Sequence, residues 1–380
     1  MDLVKGKTMS GNGLKLLIAG GKTGGHLFPG MAIAKRFLER GSQRDVLFAG
    51  TREGIEARVL PAQGFALATV RSSGIRGKGL SGMLRGIWLI PVALMESLRM
   101  VRSYKPHVAL GVGGYVSGPV LAAVWLAGVP FAIQEQNVTP GLTNRILAHL
   151  AEKVFASFEE SRKYFPARKV VVSGNPVRPE VISVPEGKPE LDLANFKTGV
   201  TLLVFGGSQG ARAINEAVVD FFRKNPEMKN GVNVIHQTGK DDFELVRKAY
   251  LEMSYDRAAI TPFIYRMGEA YRAADLVLCR AGAGTVFELA ALSKPAILVP
   301  FPYAVGDHQT YNAAALAGLG AAVMVVQKDM ATGALESALK ELLTKPDKLR
   351  EMAGKAAGFA RPDAADEISR GLENIAAKRK

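Results

Sequence analysis

Residues 16–38 read LLIAGGKTGGHLFPGMAIAKRFL. A continuous apolar run, a glycine-rich turn and a segment with apolar residues at three- and four-residue spacing follow one another. That is the order of a strand, a tight turn and a helix. Gly-Lys-Thr invites comparison with a triphosphate-binding loop, which needs a glycine five residues before its Gly-Lys. The position five before Gly21 is Leu16, inside the apolar run, so the spacing fails. A dinucleotide fingerprint suits the glycines better, but it needs an acid closing the second strand about twenty residues on. Asp45 precedes its strand and Glu53 lies beyond the next loop. What remains is a small-residue turn that lets main-chain amides approach a ligand, ahead of a helix whose positive end favours negative charge. A purely structural reading, glycines serving only the turn, stays open at this point.

Working outward, the pattern repeats. VTLLVFGGSQGARAINEAVVDFFRKN, from Val200, echoes LKLLIAGGKTGGHLFPGMAIAKRFLERG, from Leu14. Apolar strands without alternation predict parallel sheets covered on both faces. Further strands are expected at DVLFAG, HVALGV, PFAIQ, KVFAS and KVVVSG in the first half. In the second half they are expected at VNVIHQTG, AITPFI, LVLCRAG, PAILVPFP and AAVMVV. The fold class expected is α/β, two Rossmann-like doubly wound domains facing each other across a cleft. Residues 1–13 are expected to be a flexible leader, 14–176 the first domain, 177–197 a linker, 198–360 the second domain. Residues 361–380 form a terminal helix that can pack back on the first domain.

Composition narrows the field. The 380 residues are 48% hydrophobic and 22% charged, with one cysteine, Cys279, which excludes an intramolecular disulfide framework. The formal charge is +14, and residues 1–180 hold 24 Lys+Arg against 11 Asp+Glu. A first half so basic expects an anionic partner. Val108–Ile133 carries no charge over a length that could cross a bilayer, but its glycines and prolines divide it into strand, turn, helix and strand.

A third glycine turn appears in CRAGAGTVFELAALSKPAILVPFPYAVGDHQTYNAAAL, residues 279–315. Glu288 near the start of the following helix can accept hydrogen bonds from a ribose diol, or serve helix stability alone. Asp307, His308 and Gln309 stand where a loop enters the next helix.

Together GGKTGGHLFPG, GVGGYVSGP, QEQNVTPGLTNR, SGNPVR, GGSQGAR, HQTG, CRAGAGTVFELA and GDHQTYNA resemble one family, the bacterial MurG transferases. The resemblance runs from the first strand to about Gln327. It implies a GT-B fold with the donor, UDP-N-acetylglucosamine, in the C-terminal domain and the acceptor, lipid I, in the N-terminal one. The implied reaction inverts the anomeric centre: the 4-hydroxyl of N-acetylmuramic acid attacks, UDP leaves and lipid II forms. No cofactor is implied, and the location is peripheral, on the cytoplasmic face of the cell membrane. By motif position the donor contacts fall on Thr23, Gly24, Gly25, Asn137, Arg178, Ser208, Ile264, Ala283, Gly284, Thr285, Val286, Phe287, Glu288 and Gln309. Glu288 would hold the ribose, and Ser208 with the amides after it the diphosphate. Two departures stand out. Lys22 lengthens the first loop by one residue, and Gly284 replaces a common leucine.

No two aspartates lie two positions apart, so the Asp-x-Asp metal signature is missing and metal-independent catalysis is expected. Helix N-termini, main-chain amides and Arg178 would then steady the leaving diphosphate. The expected base is His26, at the start of its helix, with Glu135 as competitor. Tyr115 and Asn144 are expected on the acceptor side. Residues 71–106 carry Leu80, Leu84, Ile87, Pro91, Leu94, Leu98 and Val101 among Arg71, Arg76, Lys78, Arg85, Arg99, Arg102 and Lys105. This basic amphipathic stretch is expected to meet an anionic membrane, as one helix or as two broken at Pro91. A UDP-sugar epimerase and an NAD-dependent oxidoreductase are the rivals of similar architecture. Nucleic acid is not expected as a partner, because no helix-turn-helix or aromatic basic sheet is present.

Overall fold

The computed structural model describes residues 3–4, 13–21, 23–72, 79–183 and 187–378, with the backbone alone at 3–4 and 79–88. The chain divides into two units, one of residues 1–177 and 362–380, the other of residues 178–361.

In the first unit the strands are β1 (Leu3–Val4), β2 (Leu14–Gly20), β3 (Arg44–Gly50), β4 (Ala66–Thr69), β5 (Val108–Gly113), β6 (Phe131–Glu135), β7 (Lys153–Ala156) and β8 (Val170–Val172). Their order is β1-β4-β3-β2-β5-β6-β7-β8. All neighbours run parallel except β1, which pairs antiparallel with β4. The second unit holds β9 (Val200–Phe205), β10 (Val232–Gln237), β11 (Ala258–Thr261), β12 (Leu276–Cys279), β13 (Ala296–Leu298) and β14 (Ala322–Met324). Their order is β11-β10-β9-β12-β13-β14, parallel throughout. The two sequence echoes are thus the central strands β2 and β9. In each sheet the chain winds outward one way from that strand and then the other, which makes β2/β5 and β9/β12 the switch points where such sheets receive ligands. Leu16, Leu17 and Ile18 of β2, and Leu202, Leu203 and Val204 of β9, are wholly enclosed, because helices cover both faces.

The uncharged stretch becomes β5, the helix Ser117–Leu126 and β6. Among the described residues no helix is long and apolar enough to cross a membrane. Two features differ from the sequence reading. β4 was not expected; its four residues, ALAT, are too few to show a period. Within the stretch expected as a leader, Leu3–Val4 pairs with β4, and most of the remainder lies outside the described residues. Of the two forms left open for the basic stretch, the single helix is the one seen: Gly79–Tyr104 runs unbroken with Pro91 inside it. Pro91 is on the exposed side, where the carbonyl it leaves unbonded can reach water.

The helix Ala364–Ala377 belongs to the first unit. Ile368, Leu372 and Ile375 enter the core formed by β2, β5 and the helix Gly24–Glu39. A Cβ on Gly371 would stand 2.4 Å from the buried Phe155 ring, so the helix lies directly on the sheet. Charge fixes its register: Arg36 and Arg40 meet Asp366 at 2.9 Å each, and Glu373 accepts from Arg40 at 2.6 Å and Arg44 at 2.5 Å.

Candidate active site

In the first unit the switch point is built from two glycine turns. Thr23 caps the helix Gly24–Glu39 in an extended conformation, and its Oγ1 lies 3.0 Å from Nδ1 of His26. Gly24, Gly25 and the half-buried His26 make up a first turn without an acid; the His26 amide donates to Thr23 O at 3.2 Å, so the amides an anion can meet are those of Gly24 and Gly25. Across from it, Gly113 ends β5 with φ +96°; a Cβ there would stand 2.7 Å from the His26 ring. Only glycine lets the imidazole take this place. The first loop's Lys22 lies outside the described residues.

Glu56, which the sequence reading passed over, lies beneath this loop. It is fully enclosed, and its Oε1 accepts from the amide and hydroxyl of Thr51, at 2.8 Å each. Its carboxyl group presses on Gly21, so close that a Cβ on that glycine would stand 2.6 Å away. The signal was a glutamate in a glycine-bearing turn, GTREGIEA, which no periodicity singles out.

Glu135 ends β6 at 2% exposure. Its Oε1 accepts from the amide of Asn137 at 3.0 Å and the Asn137 side chain at 3.4 Å, while Oε2 accepts from Asn144 Nδ2 at 2.8 Å. Burial raises its pKa against the pull of those donors. Asn137 and Asn144 therefore both engage Glu135. Among the described residues, Oδ1 of the buried Asn144 has no partner. Tyr115 follows the β5 turn and is 42% exposed.

In the second unit, Ser208 stands exposed in the turn Gly206–Gly210 after β9. Ile264 is buried beyond β11. The helix Ala283–Ala291 starts from an extended Gly282, with no acid in its first turn. The side chains of Val286 and Phe287 belong to the core, Phe287 packing on Phe359 at 5.1 Å between ring centres. Val286 and Phe287 could therefore meet a ligand only through the main chain, and the Val286 amide already donates to Gly282 O at 3.0 Å, so the helix amides left for one are those of Ala283, Gly284 and Thr285.

Glu288 is committed in a way the sequence did not disclose. Arg178 Nε and Nη2 both donate to its Oε1, at 3.0 and 2.8 Å, and the Tyr271 hydroxyl donates to Oε2 at 3.1 Å. Burial opposes the Arg178 charge, but Glu288 outweighs it and raises that pKa. Burial, with Glu288 adding, pushes Tyr271 well above the phenol range. Arg178 thus stands beside the carboxylate expected to take the ribose. Gln309 accepts at Oε1 from the Phe301 amide, 2.9 Å away, and holds the loop after β13.

The basic stretch also differs from expectation. Leu94 and Leu98 pack against the core and Val101 is buried in it; among the described side chains of that helix, Ile90 and Met95 are the exposed large apolar ones. Arg71 pairs with Glu96 at 2.6 Å. Residues 73–78, and the side chains through 88, lie outside the described residues.

Comparison with known proteins gives a consistent result. Residues 16–156 match the glycosyltransferase family 28 N-terminal domain, and residues 201–368 the glycosyltransferase family 28 C-terminal domain. A Myxococcus xanthus protein named UDP-N-acetylglucosamine–N-acetylmuramyl-(pentapeptide) pyrophosphoryl-undecaprenol N-acetylglucosamine transferase is 44% identical, covering 94% of this chain and 91% of its own. The crystal structure of Acinetobacter baumannii MurG superposes with a TM-score of 0.76 at 32% identity, over 95% of this chain and 99% of that one. A UDP-GlcNAc 2-epimerase from Neisseria meningitidis bound to UDP-GlcNAc has a TM-score of 0.64 over 95% of this chain and 99% of its own. At 13% identity that likeness speaks to the fold alone.

Proposed function

We propose, from the premise that this chain belongs to the glycosyltransferase 28 family and, within it, to the MurG N-acetylglucosamine transferases, that it glycosylates lipid I. N-acetylglucosamine passes from UDP-N-acetylglucosamine to the 4-hydroxyl of N-acetylmuramic acid. The bond from the anomeric carbon to the diphosphate breaks, a bond to the acceptor oxygen forms with inversion, and UDP departs. The observation that carries this reading is the identity of 44% across 94% of the chain.

Each end of the transfer has residues suited to it. The leaving diphosphate is met by Ser208, the amides of its turn and the open N-terminus of the helix Ala283–Ala291, which carry partial positive charge without reorganising. Arg178 adds a full charge, and Glu288 offers the ribose its remaining lone pairs while Arg178 and Tyr271 hold it still. His26 is the base. Its half-buried ring and its Thr23 partner suit proton transfer, with Nδ1 held and Nε2 turned elsewhere. Glu135 suits that task less, being enclosed with both oxygens occupied; it orders Asn137 and, on the acceptor side, Asn144.

The acceptor is lipid-linked, and the first unit offers a surface to match. Ile90 and Met95, Trp125 and Leu126, and Leu142 and Ile146 are exposed on three helices that pack in succession, with Arg99, Arg102 and Arg145 among them. This face would rest on an anionic leaflet, placing the protein at the cytoplasmic side of the membrane without spanning it. The deciding assay follows labelled N-acetylglucosamine onto a lipid I analogue with a chelator present. Transfer at an undiminished rate is expected. Epimerised sugar formed from UDP-N-acetylglucosamine alone would replace this function with the rival one.

A further inference from the structure

The turn Gly206–Gly210 is supported from outside itself. Gln237 Nε2 donates to the Gly207 carbonyl at 2.8 Å. Gly210 (φ +75°) and Gly239 (φ +82°) bring two main chains into direct contact. A Cβ on Gly210 would stand 1.9 Å from Thr238 O, and one on Gly239 2.1 Å from Gln209 O. With no side chain between them, the place of the Thr238 carbonyl sets the place of the turn.

A buried line of polar groups holds that carbonyl. Asn215 Nδ2 donates to Thr238 O at 2.9 Å and to Asp242 Oδ2 at 2.8 Å. Both partners are acceptors, which fixes the amide: Oδ1 must face the other way, toward Nε2 of His236 at 3.0 Å. An amide oxygen cannot donate, so Nε2 carries the proton. Nδ1 then accepts from the Tyr250 hydroxyl, 3.3 Å away. Asn215 and His236 are wholly buried, and burial pushes the imidazole pKa down to about 3, so the ring stays neutral. Every proton from Tyr250 to Thr238 has one direction, and the histidine has one tautomer.

We propose, resting on the assignment of Ser208 to the donor diphosphate, that His236 and Asn215 are positioning residues for the transfer. Through Thr238 they hold the Gly206–Gly210 turn in the one shape that presents Ser208 and its amides to a diphosphate. Neither touches the ligand.

The experiment is calorimetric titration of the full chain with UDP and with uridine. Uridine lacks the diphosphate, so its affinity reports an intact second unit, and the UDP-to-uridine ratio reports the turn. Ser208→Ala should lower UDP affinity about ten-fold, the worth of one charge-assisted hydrogen bond, and leave uridine unchanged. Asn215→Ala and His236→Phe should do the same from a distance. His236→Gln, whose amide N–H can stand in for Nε2–H, should recover most of the loss. If Ser208→Ala lowers the ratio while Asn215→Ala keeps it at the wild-type value, the positioning role is overturned and the diphosphate assignment stands. An unchanged ratio in Ser208→Ala overturns both. Equal loss of UDP and uridine in Asn215→Ala and His236→Phe means that these residues serve packing, and also defeats the proposal. So does His236→Gln behaving like His236→Phe.

Discussion

Glu288 receives three hydrogen bonds from two residues while remaining the group expected to take the ribose. Its removal therefore acts twice: the diol loses its acceptor, and Arg178 keeps a half-buried charge without its carboxylate. Glu288→Ala is expected to raise the donor KM at least ten-fold and to lower stability by about 1–3 kcal/mol, checked by initial rates and thermal melting. His26→Ala should leave the donor KM within a few-fold of wild type and lower kcat by about 10²–10⁴, the usual worth of a general base. Glu135→Ala should lower kcat less. A larger fall in Glu135→Ala than in His26→Ala would reverse the assignment of the base. The places of the glycine turns, and of His26, Ser208 and Glu288 beside them, could be read from the chain, because each follows an apolar strand at a short distance. The Arg178–Glu288–Tyr271 cluster could not. Its members come from three elements, and nothing local in the sequence says that a ribose ligand is also an ion-pair partner. Glu56 was hidden for a related reason, since its enclosure depends on where Gly21 and Gly54 fold.

At the scale of elements, unbroken apolar runs such as VTLLVF revealed the parallel sheets, because strands covered on both faces leave no polar alternation. The same rule failed for β4, too short to announce itself; for Gly79–Tyr104 the sequence left one helix or two open, and the helix is intact, its proline on the exposed side. The described part of the stripe there, Leu94, Leu98 and Val101, serves the core more than the surface. The helix Ala364–Ala377 depends on charge as well as on packing. Burial raises the Glu373 pKa, but Arg40 and Arg44 outweigh it and hold the value below the ordinary 4.5. A carboxylate depressed in this way stabilises the folded state above 4.5, and the gain is lost as pH falls through the folded value. Glu373→Gln should cost about 1 kcal/mol at pH 7, and the gap from wild type should close as the pH is lowered below 4.5. Urea unfolding at a series of pH values measures it.

At the scale of the whole molecule, charge and apolar exposure coincide on the first half of the chain. Residues 1–180 carry the excess of basic groups, and Trp125, Leu126, Leu142 and Ile146 are exposed in the same unit. Binding to vesicles with anionic lipid should fall steeply between 50 and 500 mM salt, each basic group near the surface contributing roughly 1 kcal/mol at low salt. Trp125→Ser with Leu126→Ser should weaken it at every salt concentration. Flotation assays separate the two contributions.

Because residues 362–377 complete the core around β2 and β5, a ribosome must finish the second unit before the first can close. Until then Ile18, Leu110 and Val112 lack the side chains of Ile368 and Leu372, so the nascent fragment carries an open greasy seam while its neighbour matures. Residues 1–177 made alone should bind a hydrophobic dye and clump. A synthetic peptide of residues 362–378 added in trans should quench the dye and restore a cooperative melt.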